Sequence, residues 1–161
     1  MDLLAQVLVN GVLLGGLYAV MALGLALVWG VLNIVNLAHG AFIMLGAYCS
    51  WHLFHYLGID PFLGLPITAA VMFALGYGLQ RGLLNLIVRA PMFNTLLLTF
   101  GLEVVLTYLA QLAFSADFRA INPGYAGHRT QWGPVVLPLV RLGAFGVALA
   151  LTLGMWLFLL H

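Results

Sequence analysis

The chain has 161 residues, of which 65% are hydrophobic and only 6% are charged, and its mean hydropathy is +1.15. A soluble domain carries roughly 25% charged residues, so this composition excludes a soluble globular protein and predicts the lipid bilayer as a partner. The formal net charge of +1 provides no basic surface, and no nucleic-acid partner is expected. The apolar runs are continuous rather than alternating, which favours an all-α integral membrane protein over a β-barrel.

The beginning of the chain predicts two membrane spans in succession. No Asp, Glu, Lys or Arg lies between Asp2 and Asp60, an interval of 57 residues. One helical span needs about 20 apolar residues, so this interval holds two spans and a short connection. Its most polar stretch runs from Asn33 to Asn36, and we expect a helix break near 33–40.

The rest of the chain predicts three further spans, which makes about five in a polytopic bundle. Gly58 and Pro61 mark a turn after the second span. We expect one transmembrane domain over 1–161, with spans at about 4–27, 37–57, 62–80, 95–114 and 142–160 and a polar loop at 115–134.

The sequence contains no residue pattern of a known catalytic or cofactor site. Lysine is absent, so a Walker-type phosphate loop is excluded. His52 and His55 are three residues apart and would share one face of a helix. With Trp51 and Tyr56 beside them, they are typical of residues at a membrane interface rather than metal ligands. We therefore expect no enzyme activity, no cofactor and no metal.

Polar residues near the predicted break are candidates for function. Asn33, Asn36 and His39 lie between long apolar runs, next to Gly40. Amide and imidazole side chains can cap a broken helix or line a polar cavity, provided that they are shielded from lipid. An ordinary loop at the membrane surface explains the same residues equally well, and the sequence leaves both interpretations open.

Glu103 lies near the middle of the fourth predicted span. A carboxylate in lipid costs several kcal/mol unless it is protonated or paired, so we expect it to face the interior of the bundle or water. Candidate partners are His39 and arginines of a neighbouring chain. An interhelical hydrogen bond from a protonated carboxyl group is one interpretation, and a role in the substrate pathway or in gating is the other.

Two stretches of the sequence resemble the permease subunits of branched-chain amino acid ATP-binding-cassette (ABC) transporters. In this family two similar permease subunits form a pair, and one of them carries an Asn-Phe-Ala-His-Gly-type motif. That subunit is the one resembled by Gly15–Leu25, Gly30 and Asn36–Tyr48, where the motif reads Asn-Leu-Ala-His-Gly. Thr95–Leu102 is similar to the Thr-Ile-Gly-Leu-type start of a later span. The resemblance covers about 11–110 and corresponds to the N-terminal portion of such a permease. The predicted pathway or helix-break residues are Asn33, Asn36, His39, Gly40, Thr99 and Glu103.

The resemblance implies partners, location and cargo that composition does not. A second permease subunit, cytoplasmic ATPase subunits and a periplasmic substrate-binding protein would complete an importer in the bacterial inner membrane. The cargo would be leucine, isoleucine and valine, or related small amides such as urea. The connection between Arg81 and Arg89 would be cytoplasmic, and the 115–134 loop would be periplasmic and could contact the binding protein.

The end of the chain limits what the resemblance implies, and other functions stay open. The chain stops at His161 directly after an apolar run, and family permeases continue into a loop that couples to the ATPase. We therefore expect the domain to be incomplete at the C-terminus. An ion-coupled secondary transporter, in which Glu103 titrates, and a non-transporting membrane assembly subunit are the alternative functions.

Overall fold

A computed structural model describes residues 2–86, 91–115, 117–132 and 135–160 of the chain. Arg89, Pro134 and His161, which entered the predictions above, lie outside the described residues. The helices are α1 (Asp2–Leu32), α2 (His39–Leu57), α3 (Leu65–Gly82), α4 (Met92–Phe114) and α5 (Leu139–Leu160). Two short strands, β1 (Arg129–Trp132) and β2 (Val135–Pro138), pair antiparallel, and Leu84–Leu86 form a 3-10 turn. The prediction of an all-α fold is confirmed.

The helices have the length and surface of membrane spans. By length and composition, α1, α4 and α5 could each cross a membrane. The 19 residues of α2 and the 18 of α3 extend about 27–28 Å, close to the thickness of a hydrocarbon core of about 30 Å. Most large apolar side chains of the described residues are exposed, for example Leu112 at 83% and Phe73 at 75%. Lipid or other subunits would cover such a surface, and the chain is a multi-pass membrane protein.

The helix ends differ from the expected span limits by a few residues. α1 continues to Leu32 rather than ending near 27, because no proline precedes Asn33. α3 begins at Leu65 rather than near 62. Asp60 holds the intervening residues in a turn, since its Oδ1 accepts the Phe62 N–H at 2.9 Å and its carbonyl accepts the Gly64 N–H at 2.8 Å.

Residues 28–121 form one of two compact units. Within this unit α3 packs antiparallel to α2: Gly46 lies beside Met72, and Leu53 lies beside Gly64. α4 runs parallel to α2, because Thr99 contacts Val35 just before α2 and Phe114 stacks on Tyr48 in the middle of α2.

The second unit comprises residues 1–27 and 122–161. Its strands lie partly within the predicted 115–134 loop, where sequence analysis anticipated no strand. The side-chain amide of Gln6 holds them against α1: Nε2 donates to the Val136 carbonyl at 2.9 Å, and Oε1 accepts the Val136 N–H at 2.8 Å. α5 lies against α1 at Gly16, where the Phe145 ring approaches the backbone closely.

Candidate functional site

The predicted helix break is present, and Asn33 ends the helix before it. The backbone of Asn33 is left-handed, with φ of 54°. Its N–H donates to the Trp29 carbonyl at 2.8 Å. This is the hydrogen bond of a left-handed helix cap, a position that Asn tolerates better than most residues with a side chain. Asn33 is exposed, so its main structural contribution is the backbone conformation that stops α1.

Asn36 redirects the chain into α2. Its Oδ1 accepts the N–H of Ala38 at 3.1 Å, and its carbonyl accepts the N–H of His39 at 3.2 Å. A side chain that bonds the backbone two residues onward forms a local turn. His39 and Gly40 then begin α2, with His39 half-buried. The break between α1 and α2 is therefore six residues, 33–38, within the predicted 33–40.

Thr99 of α4 reaches the break from a distant part of the sequence. Its side chain is completely buried, and its Oγ1 lies 3.2 Å from the carbonyl oxygens of both Leu96 and Val35. A carbonyl that is shielded from water outside a helix or sheet needs a hydrogen-bond donor. The Thr99 hydroxyl supplies one to the carbonyl of half-buried Val35, and Ile34 and Ala38 on either side are buried. Thr99 thus fixes the break against α4.

Glu103 lies one helical turn beyond Thr99 on α4. It is half-buried, and its Oε1 accepts a long hydrogen bond of 3.5 Å from Thr107. Thr95, which is buried, precedes Thr99 by the same spacing. Polar side chains therefore follow one another at every fourth position from 95 to 107, and such positions share a helix face. Thr107 was not predicted as a partner of Glu103, although the spacing of four residues was a usable signal.

The structure thus brings some of the predicted residues together and leaves one apart. Asn36 lies in the break that Thr99 contacts, and His39 and Gly40 follow the break directly. Glu103 continues the face of α4 on which Thr99 lies. Asn33 points to the exposed side of the break. The groups that meet at the break are backbone groups, the Asn36 amide and the Thr99 hydroxyl, with the His39 imidazole at the start of α2, so the arrangement can hold irregular backbone and offer hydrogen bonds.

A second polar site in the same unit was missed by sequence analysis. A groove of about 620 Å³ runs along α2 and is lined by Met44, Tyr48, Trp51, Asp117 and Arg119. The Arg119 guanidinium lies 4.3 Å from the centre of the Trp51 ring, a cation–π contact. It also donates a hydrogen bond to the Phe114 carbonyl. The groove thus has one acidic and one basic side chain beside a wall of apolar and aromatic side chains.

The residues of this groove were visible in the sequence, but their proximity was not. Trp51 and His55 stack with ring centres 4.5 Å apart, and His52 packs near Phe114. The aromatic cluster at 51–56 was interpreted as interfacial, which explains its composition. Nothing in the spacing of Trp51 and Arg119 indicates that the loop after α4 folds back along α2.

Comparison with known proteins identifies relatives along almost the whole chain. Residues 7–161 match the sequence profile of the family described as branched-chain amino acid transport system / permease component. The high-affinity branched-chain amino acid transport system permease protein BraD of Pseudomonas aeruginosa is 27% identical over 96% of this chain and 54% of its own length. LivH of Salmonella typhimurium, named in the same way, is 30% identical over 63% of this chain and 35% of its own length. LivH of Escherichia coli K12 is 35% identical over 45% of this chain and 26% of its own length.

The matches cover only part of the relatives' length, and they include no solved structure. The chain spans about half the length of BraD. The profile match nevertheless extends across the helix break, α4 and the segment that follows, so it includes every candidate site residue. The chain belongs to the family of branched-chain amino acid transport permease components.

Proposed function

We propose that this chain forms a membrane-spanning permease subunit of an ABC importer in the bacterial inner membrane. Its cargo is leucine, isoleucine and valine, or related small amides such as urea. The names of the relatives, which describe permease proteins of high-affinity branched-chain amino acid transport systems, support this proposal. ATP hydrolysis belongs to a separate subunit, since the chain contains no lysine and hence no Walker-type phosphate loop.

The observation that carries the proposal is the helix break held by Thr99. Transporters place irregular backbone at membrane depth where it lines a substrate path, and helices move around it during alternating access. Here the carbonyl of Val35 within the break accepts the hydroxyl of buried Thr99 at 3.2 Å. We assign Asn33, Asn36, His39 and Gly40 to the break, and Thr99 and Glu103 to the α4 face along the pathway.

The groove along α2 supports an amino acid as the transported solute. A free amino acid carries a carboxylate and an ammonium group, and a branched-chain amino acid adds an apolar side chain. Arg119 and Asp117 provide one charge of each sign, and Met44, Tyr48 and Trp51 provide the apolar wall. Urea has neither charge, so this groove favours amino acids over amides.

The partners follow from the proposed function. A second permease subunit completes the pathway, cytoplasmic ATPase subunits drive it, and a periplasmic substrate-binding protein delivers the solute. In this arrangement the connection between Arg81 and Arg89 is cytoplasmic. The 115–134 loop is periplasmic, where its Asp117 and Arg119 are available to solute or to the binding protein.

Substitution of His39 tests the proposal. In the complete importer reconstituted in liposomes, His39→Leu should slow ATP-driven uptake of radiolabelled leucine by about tenfold, which is about 1.4 kcal/mol on the limiting barrier. Leucine keeps the bulk of the side chain and removes its polar atoms at the start of α2. Co-purification of the ATPase subunits should not change.

The matched control is His55→Phe, which removes the polar atoms of an exposed histidine at the other end of the same helix and keeps an aromatic ring against Trp51. Uptake by this control should remain at the wild-type rate. Wild-type uptake by His39→Leu would remove His39 from the mechanism. A wild-type protein that fails to take up leucine with every partner present would overturn the proposed function.

A further inference from the structure

A groove beside the first turns of α1 contains two arginine side chains. Its volume is about 450 Å³, and the polar side chains that line it belong to Gln6, Asn10, Arg129 and Arg141. α1 supplies both amides, β1 begins with Arg129, and Arg141 lies in the first turn of α5. The groove therefore forms where the strand pair and the start of α5 meet α1, within one compact unit.

Acidic residues of this unit do not balance the two guanidinium groups. Its sequence contains one acidic residue, Asp2, so one carboxylate stands against two arginines. Arg141 donates through Nη1 to Asn10 Oδ1 at 3.1 Å, which is a neutral acceptor, and a guanidinium has five N–H donors in total. Both arginines are exposed, so donors beyond this bond are accessible. The planar fork of arginine matches the oxygens of a phosphate particularly well.

The length of α1 indicates the depth of the groove in the membrane. α1 has 31 residues, or about 46 Å, whereas the hydrocarbon core is about 30 Å thick. From Gly11 to Leu32 the helix has no charged residue, Asn or Gln, and these residues extend about 33 Å back from the break at 33–38, so they reach the membrane surface before Asn10 even when the break lies within the core. Gln6 and Asn10 therefore lie beyond the hydrocarbon, at the level of the lipid headgroups.

An apolar strip runs along α1 beside the arginines. Leu14 and Leu17 follow Asn10 by four and seven residues, so they share its face of the helix and lie between Asn10 and the hydrocarbon core. They are 41% and 40% exposed. A small soluble anion would make no use of this strip. A molecule with a phosphate at one end and a hydrocarbon chain at the other would contact both the arginines and the strip.

We propose that this groove binds the phosphate of an anionic phospholipid, with Arg129 and Arg141 as the phosphate ligands. The acyl chains extend along Leu14 and Leu17 towards the hydrocarbon core. The single negative charge of the phosphate offsets part of the positive charge of the two arginines, and the bound lipid joins the strand pair, α1 and α5 at the membrane surface. This site is independent of what the protein transports, since it requires only that α1 span the bilayer.

Titration with a labelled lipid tests this site. The purified chain in uncharged detergent is titrated with phosphatidylglycerol that carries a fluorophore on one acyl chain. Neutralising an arginine near the membrane surface removes about 1 kcal/mol, which is about a fivefold weakening. Arg129→Gln and Arg141→Gln should each weaken binding by about fivefold, and the double variant should weaken it further. Glutamine retains hydrogen-bonding capacity toward Asn10, so the fold is preserved.

The controls separate charge from structure. Arg81→Gln removes an exposed arginine of α3 that lies outside the groove, and it should leave the affinity unchanged. The double variant with lysine at 129 and 141 should retain most of the affinity, because it keeps both charges. Circular dichroism should show the same helix content in every variant.

Competition identifies the source of the phosphate. Unlabelled phosphatidylglycerol should displace the probe, whereas inorganic phosphate and phosphatidylcholine should displace it poorly. Full displacement by inorganic phosphate would assign the groove to a soluble anion and overturn the lipid site. Equal binding of phosphatidylglycerol to wild type and to the glutamine double variant would overturn the assignment of Arg129 and Arg141.

Discussion

At the scale of single residues, the polar side chains of this apolar chain satisfy backbone groups that the helices leave free. Asn36 accepts the Ala38 N–H, Gln6 bonds both main-chain groups of Val136, and Thr99 donates to the Val35 carbonyl. In a bilayer an unsatisfied backbone group costs several kcal/mol. These residues therefore make it possible for non-helical backbone to exist beside membrane-spanning helices.

Substitution of Thr99 by valine measures this contribution. Valine has the same shape but no hydroxyl, so the Val35 carbonyl loses its donor. We expect Thr99→Val to lower the free energy of unfolding by about 1 kcal/mol, measured by SDS titration in mixed micelles with helix content as the signal. Thr152→Val is the matched control, since the Thr152 hydroxyl bonds only to Ala148 of its own helix. Equal effects of the two variants would contradict a special role for the Thr99–Val35 contact.

At the scale of helices, small residues decide how closely two helices approach. In the unit of residues 1–27 and 122–161, the Phe145 ring of α5 lies against the backbone of α1 at Gly16. A Cβ added at Gly16 would overlap this ring, whereas one added at the neighbouring Gly15 would meet no atom within 4 Å. Glycine at 16 therefore permits a contact that any larger side chain would block.

Alanine substitutions at these two glycines test the packing of α1 against α5. Gly16→Ala should destabilise the protein by about 1–3 kcal/mol, the usual cost of overpacking. Gly15→Ala should be neutral or slightly stabilising, because alanine favours helix at an open position. Thermal unfolding in detergent, followed by circular dichroism, compares the two variants. A Gly16→Ala variant as stable as Gly15→Ala would show that α1 and α5 do not pack through this contact.

At the scale of the whole molecule, the chain divides into two compact units, one of residues 28–121 and one formed by both ends of the chain. The first unit contains the helix break and the α4 face with Thr99 and Glu103. The second contains the strand pair and the groove with Arg129 and Arg141. The proposed pathway residues and the proposed lipid site therefore belong to different units and can be tested separately.

Glu103 distinguishes an ATP-driven permease from an ion-coupled carrier. Glu103→Gln preserves the size of the side chain and a hydrogen bond with Thr107 while removing the titratable group. If the complete importer is driven by ATP, uptake by this variant should remain ATP-dependent and lie within about threefold of wild type, less than 1 kcal/mol on the barrier. Leucine uptake into liposomes with and without ATP, and with and without a proton gradient, provides the measurement. Uptake that needs a proton gradient in wild type and loses this need in Glu103→Gln would favour the carrier.

The sequence predicted the elements of this protein more completely than its contacts. Continuous apolar runs and the polar stretch around Asn33 and Asn36 were sufficient to place the helices and the break, because both depend on local chemistry. The pairing of Thr107 with Glu103 was equally local, four residues apart on one helix, but was not recognised. The strands were not predicted, because β2 is held by Gln6 from the opposite end of the chain.

What the sequence determined by itself is that this protein requires a lipid bilayer and, to within a few residues, where its helices lie. Hydrocarbon excludes unpaired backbone groups, so a sequence with 6% charge and long apolar runs has to form helices. What only the tertiary structure decided is which polar residues meet. Thr99 reaches Val35, and Arg119 reaches Trp51, through contacts between segments more than sixty residues apart in the sequence. The pattern of apolar residues is compatible with many helix arrangements, and packing of the particular side chains selects one of them.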